Sequence, residues 1–278
     1  MEKLAINSRV SLIQGRIGSM EVVTSNSSSE DVENLLCHVL GVVAIDSAKV
    51  IANVIEPEKV AGAILANDEL RGQKRTFGVR TKRVGPKELY RSQEYSGEIG
   101  RCMCELDDSL SVDLTNPDFW VRLILEPDKV WQLGDRIEAA GGLPPGVQGD
   151  VLCRVTDEES LLSAFLIMRR GSRVIPVEGS DEEMLEILRT WDPFIGRKTA
   201  IMDLHGKVKQ RHPWGVVGIT VEEGESLIQR RVSDVKTVPL STLEPLCGWT
   251  ESEIQDLSKH IRGPSENLCM PNLDAWVS

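Results

Sequence analysis

A buried strand, a helix and a second buried strand follow one another between Asp150 and Val177, and this unit restricts the accessible folds more than any other stretch. Val151 to Val155 is a short apolar run bounded by Gly149, the signature of a buried strand. Leu161 to Arg170 is long enough for a helix, has an apolar face, ends in two arginines that suit a helix C-terminus, and stops at Gly171. Ser172 to Val177 reads as the next strand. Strand, helix, strand seeds a parallel sheet. In such a unit a nucleotide phosphate would sit in the loop after the first strand, on the helix N-terminus. Here that loop is Thr156-Asp157-Glu158-Glu159-Ser160, with no glycine and three carboxylates. A carboxylate a few ångströms from a phosphate costs roughly 1 kcal/mol in water and several times that in a partly dry site.

The 278 residues leave room for two or three small domains, and 41% apolar content supports ordinary cores. No apolar run approaches a bilayer span and no signal-peptide pattern opens the chain, so a cytoplasmic protein with no membrane partner is expected. The six cysteines (Cys37, Cys102, Cys104, Cys153, Cys247, Cys269) form no CxxC pair and read as free thiols. His38, His205, His212 and His260 show no ligand spacing, so no metal site is expected. Asp203, His205 and His212 read as loop residues.

The net charge of −11 is unevenly spread. From Arg71 to Arg101 nine lysines and arginines face three glutamates, a balance of +6; from Asp150 to Asp192 ten acids face five arginines, a balance of −5. The first stretch reads either as a face that meets polyanions or as a solvated basic face.

Along the chain, strand character at Ile17 to Val23 is followed by a helix at Glu30 to Leu40 and a strand at Val42 to Ile45. A helix over Pro57 to Asn67 starts at a proline. Then come a strand at Thr76 to Thr81, a polar helix at Lys87 to Cys104, and strands at Ser111 to Asp113 and Trp120 to Leu125. Residues 131–149 read as a lead-in to the Asp150 unit, with a Gly/Pro-rich linker at its end. Beyond that unit, helices are expected at Asp181 to Thr190 and Thr250 to Arg262. Strands are expected at Val216 to Val221 and Val238 to Leu243. Thr250 and Glu253 have capping-box spacing.

Two stretches carry a family resemblance. TFGVRTKRVGPKELYRSQEYSGEIGRCM with VDLTNPDFWVRLIL (76–103 and 112–125) resembles a THUMP domain, the tRNA-binding module of several tRNA-modifying enzymes. GGLPPGVQGDVL followed by LLSAFLIMRRGSRVIPV resembles the junction and first βαβ of the tRNA 4-thiouridine synthetases (tRNA sulfurtransferases). GITVEEGESLIQ and VPLSTLEPLCGWTESEI resemble later segments of the same family. The resemblance implies an α/β chain with an N-terminal ferredoxin-like region (1–52), a THUMP tRNA-binding domain (53–148) and a reduced, Rossmann-like PP-loop-type parallel-sheet domain (149–278).

The chain departs from the family where chemistry is done. The family's SGGxDS phosphate loop corresponds to TDEES, with Asp157 and Glu158 where glycines would admit ATP. The family's sulfur-handling cysteine in mid-domain has no match between Cys153 and Cys247, and Cys247 and Cys269 read as structural thiols. The opening strand before a GRI-like segment is missing, and no rhodanese-like extension follows.

The resemblance implies an RNA-binding cluster of Arg80, Lys82, Arg83, Lys87, Tyr90 and Arg91, the cations neutralising phosphates and Tyr90 stacking on unpaired bases. Phe77 reads as core or as a second stacking residue. A degenerate nucleotide site would comprise Thr156, Ser160, Glu225 and Ser226; no residue is assigned a catalytic role. The leading expectation is a tRNA-binding protein contacting the 3′ end, without its own adenylation activity or cofactor, that serves as a scaffold or docks a catalytic or sulfur-carrier partner. Alternatives are an active tRNA sulfurtransferase using ATP, and a protein-interaction module without an RNA role. A homodimer is compatible with either.

Overall fold

The computed structural model describes residues 13–18, 20–86, 90–196, 213–229 and 239–263. The chain divides into two compact units. One takes 13–24 and 46–137; the other takes 25–45 and the chain from 138 onward.

The first unit opens with strands β1 (Ile13–Ile17) and β2 (Met20–Thr24), an antiparallel pair, so the expected single strand over Ile17 to Val23 is a hairpin reversing at Gly18. Strand β3 (Ala44–Ala52) enters this unit at Asp46 and is longer than the expected Val42–Ile45 strand. Helix α2 (Pro57–Ala66) leads to strand β4 (Arg75–Arg83), helix α3 (Ser92–Leu106), and strands β5 (Leu110–Val112), β6 (Phe119–Leu125) and β7 (Val130–Glu138). The helix between β2 and β3, α1 (Ser29–Cys37), belongs to the other unit.

The five strands order as β3-β7-β6-β4-β5. β4 runs parallel to β5 and β6, and β6 antiparallel to β7. Side chains alternate across a strand. Phe77 and Val79 of β4 and Val121, Leu123 and Leu125 of β6 therefore share a core with Val60, Ile64 and Leu65 of α2 and Tyr95, Ile99 and Met103 of α3. Phe77 is core, stacked on Phe119. Both helices thus lie on one face of the sheet, leaving Gly78, Arg80 and Lys82 of β4 and Trp120 and Arg122 of β6 on the other.

β7 was not expected. Its residues 130–138 were read as a lead-in, yet they pair with β6 through Arg122↔Leu133 and Ile124↔Trp131. Gly134 inside it is required by a close approach, since a Cβ there would meet the Ser47 hydroxyl of β3.

In the second unit strands β8 (Asp150–Cys153), β9 (Arg173–Pro176), β10 (Pro213–Val217) and β11 (Ser241–Thr242) form an all-parallel sheet in the order β11-β10-β8-β9. Helix α4 (Glu158–Arg169) joins β8 to β9 and α5 (Glu182–Arg189) follows; α6 (Val221–Gln229) lies between β10 and β11, and α7 (Glu251–Arg262) closes the described chain. Helices cover both faces. Val151 and Cys153 of β8 pack with α4, α5 and α7, while Leu152 packs with Val216, Leu240, Val221 and Ile228. α4 is the central element, buried from Ser160 through Met168.

The expected strand to Val221 stops at Val217, and Val221 instead begins α6. The Gly/Pro-rich linker is a tied strap: Leu143 N–H donates to the Arg169 carbonyl at 2.9 Å, and the Gly146 and Gln148 N–H groups both donate to the Gly171 carbonyl. Among the described residues no helix is long and apolar enough to cross a membrane.

Candidate nucleic-acid interface and nucleotide loop

The basic cluster grows out of the end of β4. Arg80 and Lys82 are exposed on the face opposite the helices, and Arg83 is half-buried, its backbone N–H donating to Ser92 Oγ at 3.2 Å. Beyond the strand, Arg91 is exposed and caps α3 without a side-chain cap bond. Tyr90 is 37% exposed and leans on Tyr95, the ring centroids 5.2 Å apart. Lys87 lies outside the described residues, as do Asp203, His205, His212 and Cys269. The expected α3 start at Lys87 moves to Ser92, because Tyr90 and Arg91 are not helical.

One residue of this surface was missed. Trp120 lies across β4 beside Gly78, where a Cβ would stand 2.4 Å from its ring, and the Arg80 guanidinium sits 3.7 Å above the ring centroid. No local pattern gives this pair away; it depends on the β4–β6 register, in which Gly78 opposes Trp120. Arg122, one step further on that face, is bound by Asp46 at 2.6 Å and by the Gly134 carbonyl.

In the parallel-sheet unit β8 is flanked by the strands that follow it on opposite sides, so the chain reverses direction across the sheet between β8 and β10. The crevice outside the carboxyl ends of two such strands is where ligands of open α/β sheets bind. Here it is occupied by the protein's own groups.

Asp157 caps α4, its Oδ1 accepting from Ser160 N–H at 2.9 Å. The Ser160 hydroxyl accepts from the N–H groups of Thr156 (3.0 Å) and Asp157 (3.1 Å). These N–H groups are the ones a phosphate would need. The bonds from Ser160 hold the Asp157 carboxyl below the usual carboxylate range. Glu158 is bound by Arg262 of α7 at 2.5 and 2.7 Å and by Ser258, and that guanidinium lowers its pKa.

On the β10 side Arg154 forms a two-pronged ion pair with Glu223 in the first turn of α6, and its Nε donates to the Glu178 carbonyl at 3.0 Å. Thr156 and Ser160 are therefore brought together, but in a closed loop. Glu225 and Ser226 are exposed on α6, and among the described residues no hydrogen bond or ion pair joins them to that loop. The residue of α6 that reaches the crevice is Glu223. Thr220 and Glu223 carry the Thr-x-x-Glu signal of a helix start, and Glu223 N–H donates to Thr220 Oγ1 at 3.2 Å. That pattern would have located α6.

Three comparisons bear on this geometry. The THUMP domain family model matches residues 56–131. A probable tRNA sulfurtransferase of Methanocaldococcus jannaschii is 37% identical over 107 residues, 38% of this chain and 28% of that protein. One from Methanobrevibacter smithii is 32% identical over 178 residues, 62% of this chain and 45% of that protein. The chain thus spans less than half the length of these curated relatives. Among solved structures, a Pyrococcus horikoshii protein superposes with a TM-score of 0.63 at 21% identity, covering 94% of this chain and 90% of its own. A 4-thiouridine synthetase solved as an RNA complex with bound ATP gives a TM-score of 0.57 at 18% identity, covering 96% of this chain and 81% of its own. At these identities the structural likeness speaks to fold alone. The chain is a THUMP-domain protein related to the tRNA sulfurtransferases.

Proposed function

We propose that this chain binds tRNA through its THUMP domain, at the 3′ end, and takes part in tRNA modification as a binding or scaffold component rather than by adenylating the RNA itself. In this reading residues 1–52 form a ferredoxin-like region, 53–148 the tRNA-binding domain and 149–278 a degenerate PP-loop-type domain. Arg80, Lys82, Arg83, Lys87, Tyr90 and Arg91 meet the RNA. The chemistry is supplied by a catalytic or sulfur-carrier partner.

The observation that carries the second half of the proposal is the closed loop at Thr156–Ser160. Its N–H groups already have acceptors within the chain, and its carboxylates stand where phosphate oxygens would be. Opening that site would cost the α4 cap, about 1 kcal/mol, before any repulsion between Asp157, Glu158 and a triphosphate is counted. The contrary reading, an ATP-dependent tRNA sulfurtransferase with a divergent loop, assigns Glu225 and Ser226 to nucleotide. Titration of the full chain with ATP and magnesium by calorimetry separates the two, together with an assay for adenylated tRNA. The proposal expects no heat of binding and no adenylate. Micromolar ATP binding abolished by Glu225→Ala, or adenylate formation, would establish the other reading.

A further inference from the structure

The way Arg80 is held differs from that of the other well-placed arginines. Arg75, Arg101, Arg122, Arg154, Arg189 and Arg262 are each bound by at least one carboxylate. Arg75 is the instructive contrast, since it also lies over an aromatic ring, that of Phe119 at 4.6 Å, yet is neutralised by Asp68. Among the described residues no carboxylate pairs with Arg80. Its guanidinium rests flat on Trp120 at 3.7 Å, and the residue stays exposed.

The flat arrangement is built. The indole can lie across β4 only because residue 78 is a glycine, and the parallel β4–β6 register sets Gly78 opposite Trp120 and Arg80 opposite Arg122. A guanidinium stacked on an indole gains perhaps 1 kcal/mol at an exposed site and gives up much of its torsional freedom. It then presents a fixed, charged plane to solvent. Lys82 stands two residues further along the same face, about 7 Å away, in a stretch whose balance between Arg71 and Arg101 is +6.

We propose that the Arg80 guanidinium, held flat by Trp120, is a stacking platform for one unpaired RNA base, with Lys82 meeting the adjoining phosphate. Trp120 is then a positioning residue that acts through Arg80. The proposal rests on the RNA-binding reading above and sharpens it: Arg80 contributes a plane as well as a charge. Bases stack on arginine planes as they do on aromatic rings, whereas an ammonium offers only a point charge.

Arg80→Lys tests this because it keeps the charge and removes the plane at an exposed position, so folding is not at stake. The full chain is titrated with a fluorescent RNA hairpin carrying a single-stranded extension and with the same hairpin blunt-ended, at two salt concentrations. Arg80→Lys and Trp120→Leu should each weaken binding of the extended hairpin by roughly five- to ten-fold. Neither should change binding of the blunt one by more than about two-fold, and for Arg80→Lys the salt dependence should be unaltered, since no phosphate contact is lost. If Arg80→Lys binds the extended hairpin as the wild type does, the platform is refuted while RNA binding stands. If the wild type binds neither hairpin, both fall together.

Discussion

Gly78 has no side chain because the Trp120 indole occupies the space a Cβ would take. Gly78→Ala should therefore push the ring off β4 and destabilise the protein by about 1–3 kcal/mol, the usual range for an overpacked position; a lowered urea midpoint at unchanged slope would show it. His260 makes a second prediction at this scale. It is buried among Trp191, Phe165 and α7, and neither ring nitrogen has a hydrogen-bond partner among the described residues. Burial, with lesser repulsion from His38 and Arg169, pushes its pKa down to about 4. The unfolded chain takes up that proton first, near the ordinary value of about 6.5. The stability this group contributes is complete above that pH and is lost as the pH falls toward 4, on the order of 2–3 kcal/mol. His260→Phe should remove this part of the acid dependence in denaturation curves at several pH values; an unchanged profile would mean the imidazole is protonated in place.

At the scale of elements, the strap over residues 141–149 and the loop over 156–160 do the most to define the parallel-sheet unit. Gly142 has φ +72 and passes so close to α4 that a Cβ would fall 2.2 Å from the Arg169 carbonyl. Gly142→Ala should cost more than about 2 kcal/mol, combining the backbone penalty with a backbone clash, read as a clear drop in Tm. Ser160→Ala strips the Thr156 and Asp157 N–H groups of their acceptor and should cost about 1–2 kcal/mol without creating ATP affinity. The βαβ unit and both capping signals, Thr250–Glu253 included, were legible because periodicity and caps act over a few residues. β7 was not, because Gly134, Asp135 and Arg136 break its apolar alternation, and the compensation comes from distant residues: Asp46 binds both Arg122 and Arg136. α6 was absorbed into a strand because Val216–Val221 is continuously apolar or β-branched apart from Gly218, while its Thr220 cap was passed over. The loop's acidity was legible; that its charges cap α4 and bind α7, and that Arg154 and Glu223 fill the adjoining crevice, depends on packing.

At the scale of the molecule, the basic stretch 71–101 lies wholly in one compact unit and the acidic stretch 150–192 wholly in the other. The asymmetry visible in the composition is thus a difference between units, one suited to a polyanion and one whose ligand crevice is lined by its own ion pair. The assignment of 25–45 to the unit of the parallel sheet, and of 13–24 to the other, could not have been read locally. It rests on contacts such as Gly41 N–H to the Gly141 carbonyl at 2.8 Å and Ala139 N–H to the Val43 carbonyl at 3.0 Å.

The central claim is that the basic face of the THUMP unit binds tRNA. The direct measurement is titration of the full chain with an intact tRNA at two salt concentrations, for the wild type and for a variant carrying Arg80→Glu and Lys82→Glu. The account predicts salt-sensitive binding by the wild type. It predicts a loss of at least about ten-fold in the variant and a shallower salt dependence, by roughly 1.5 in the slope of log Kd against log salt for two phosphates released. Equal affinities and equal slopes for the two proteins would contradict it and send the search for a function to protein partners.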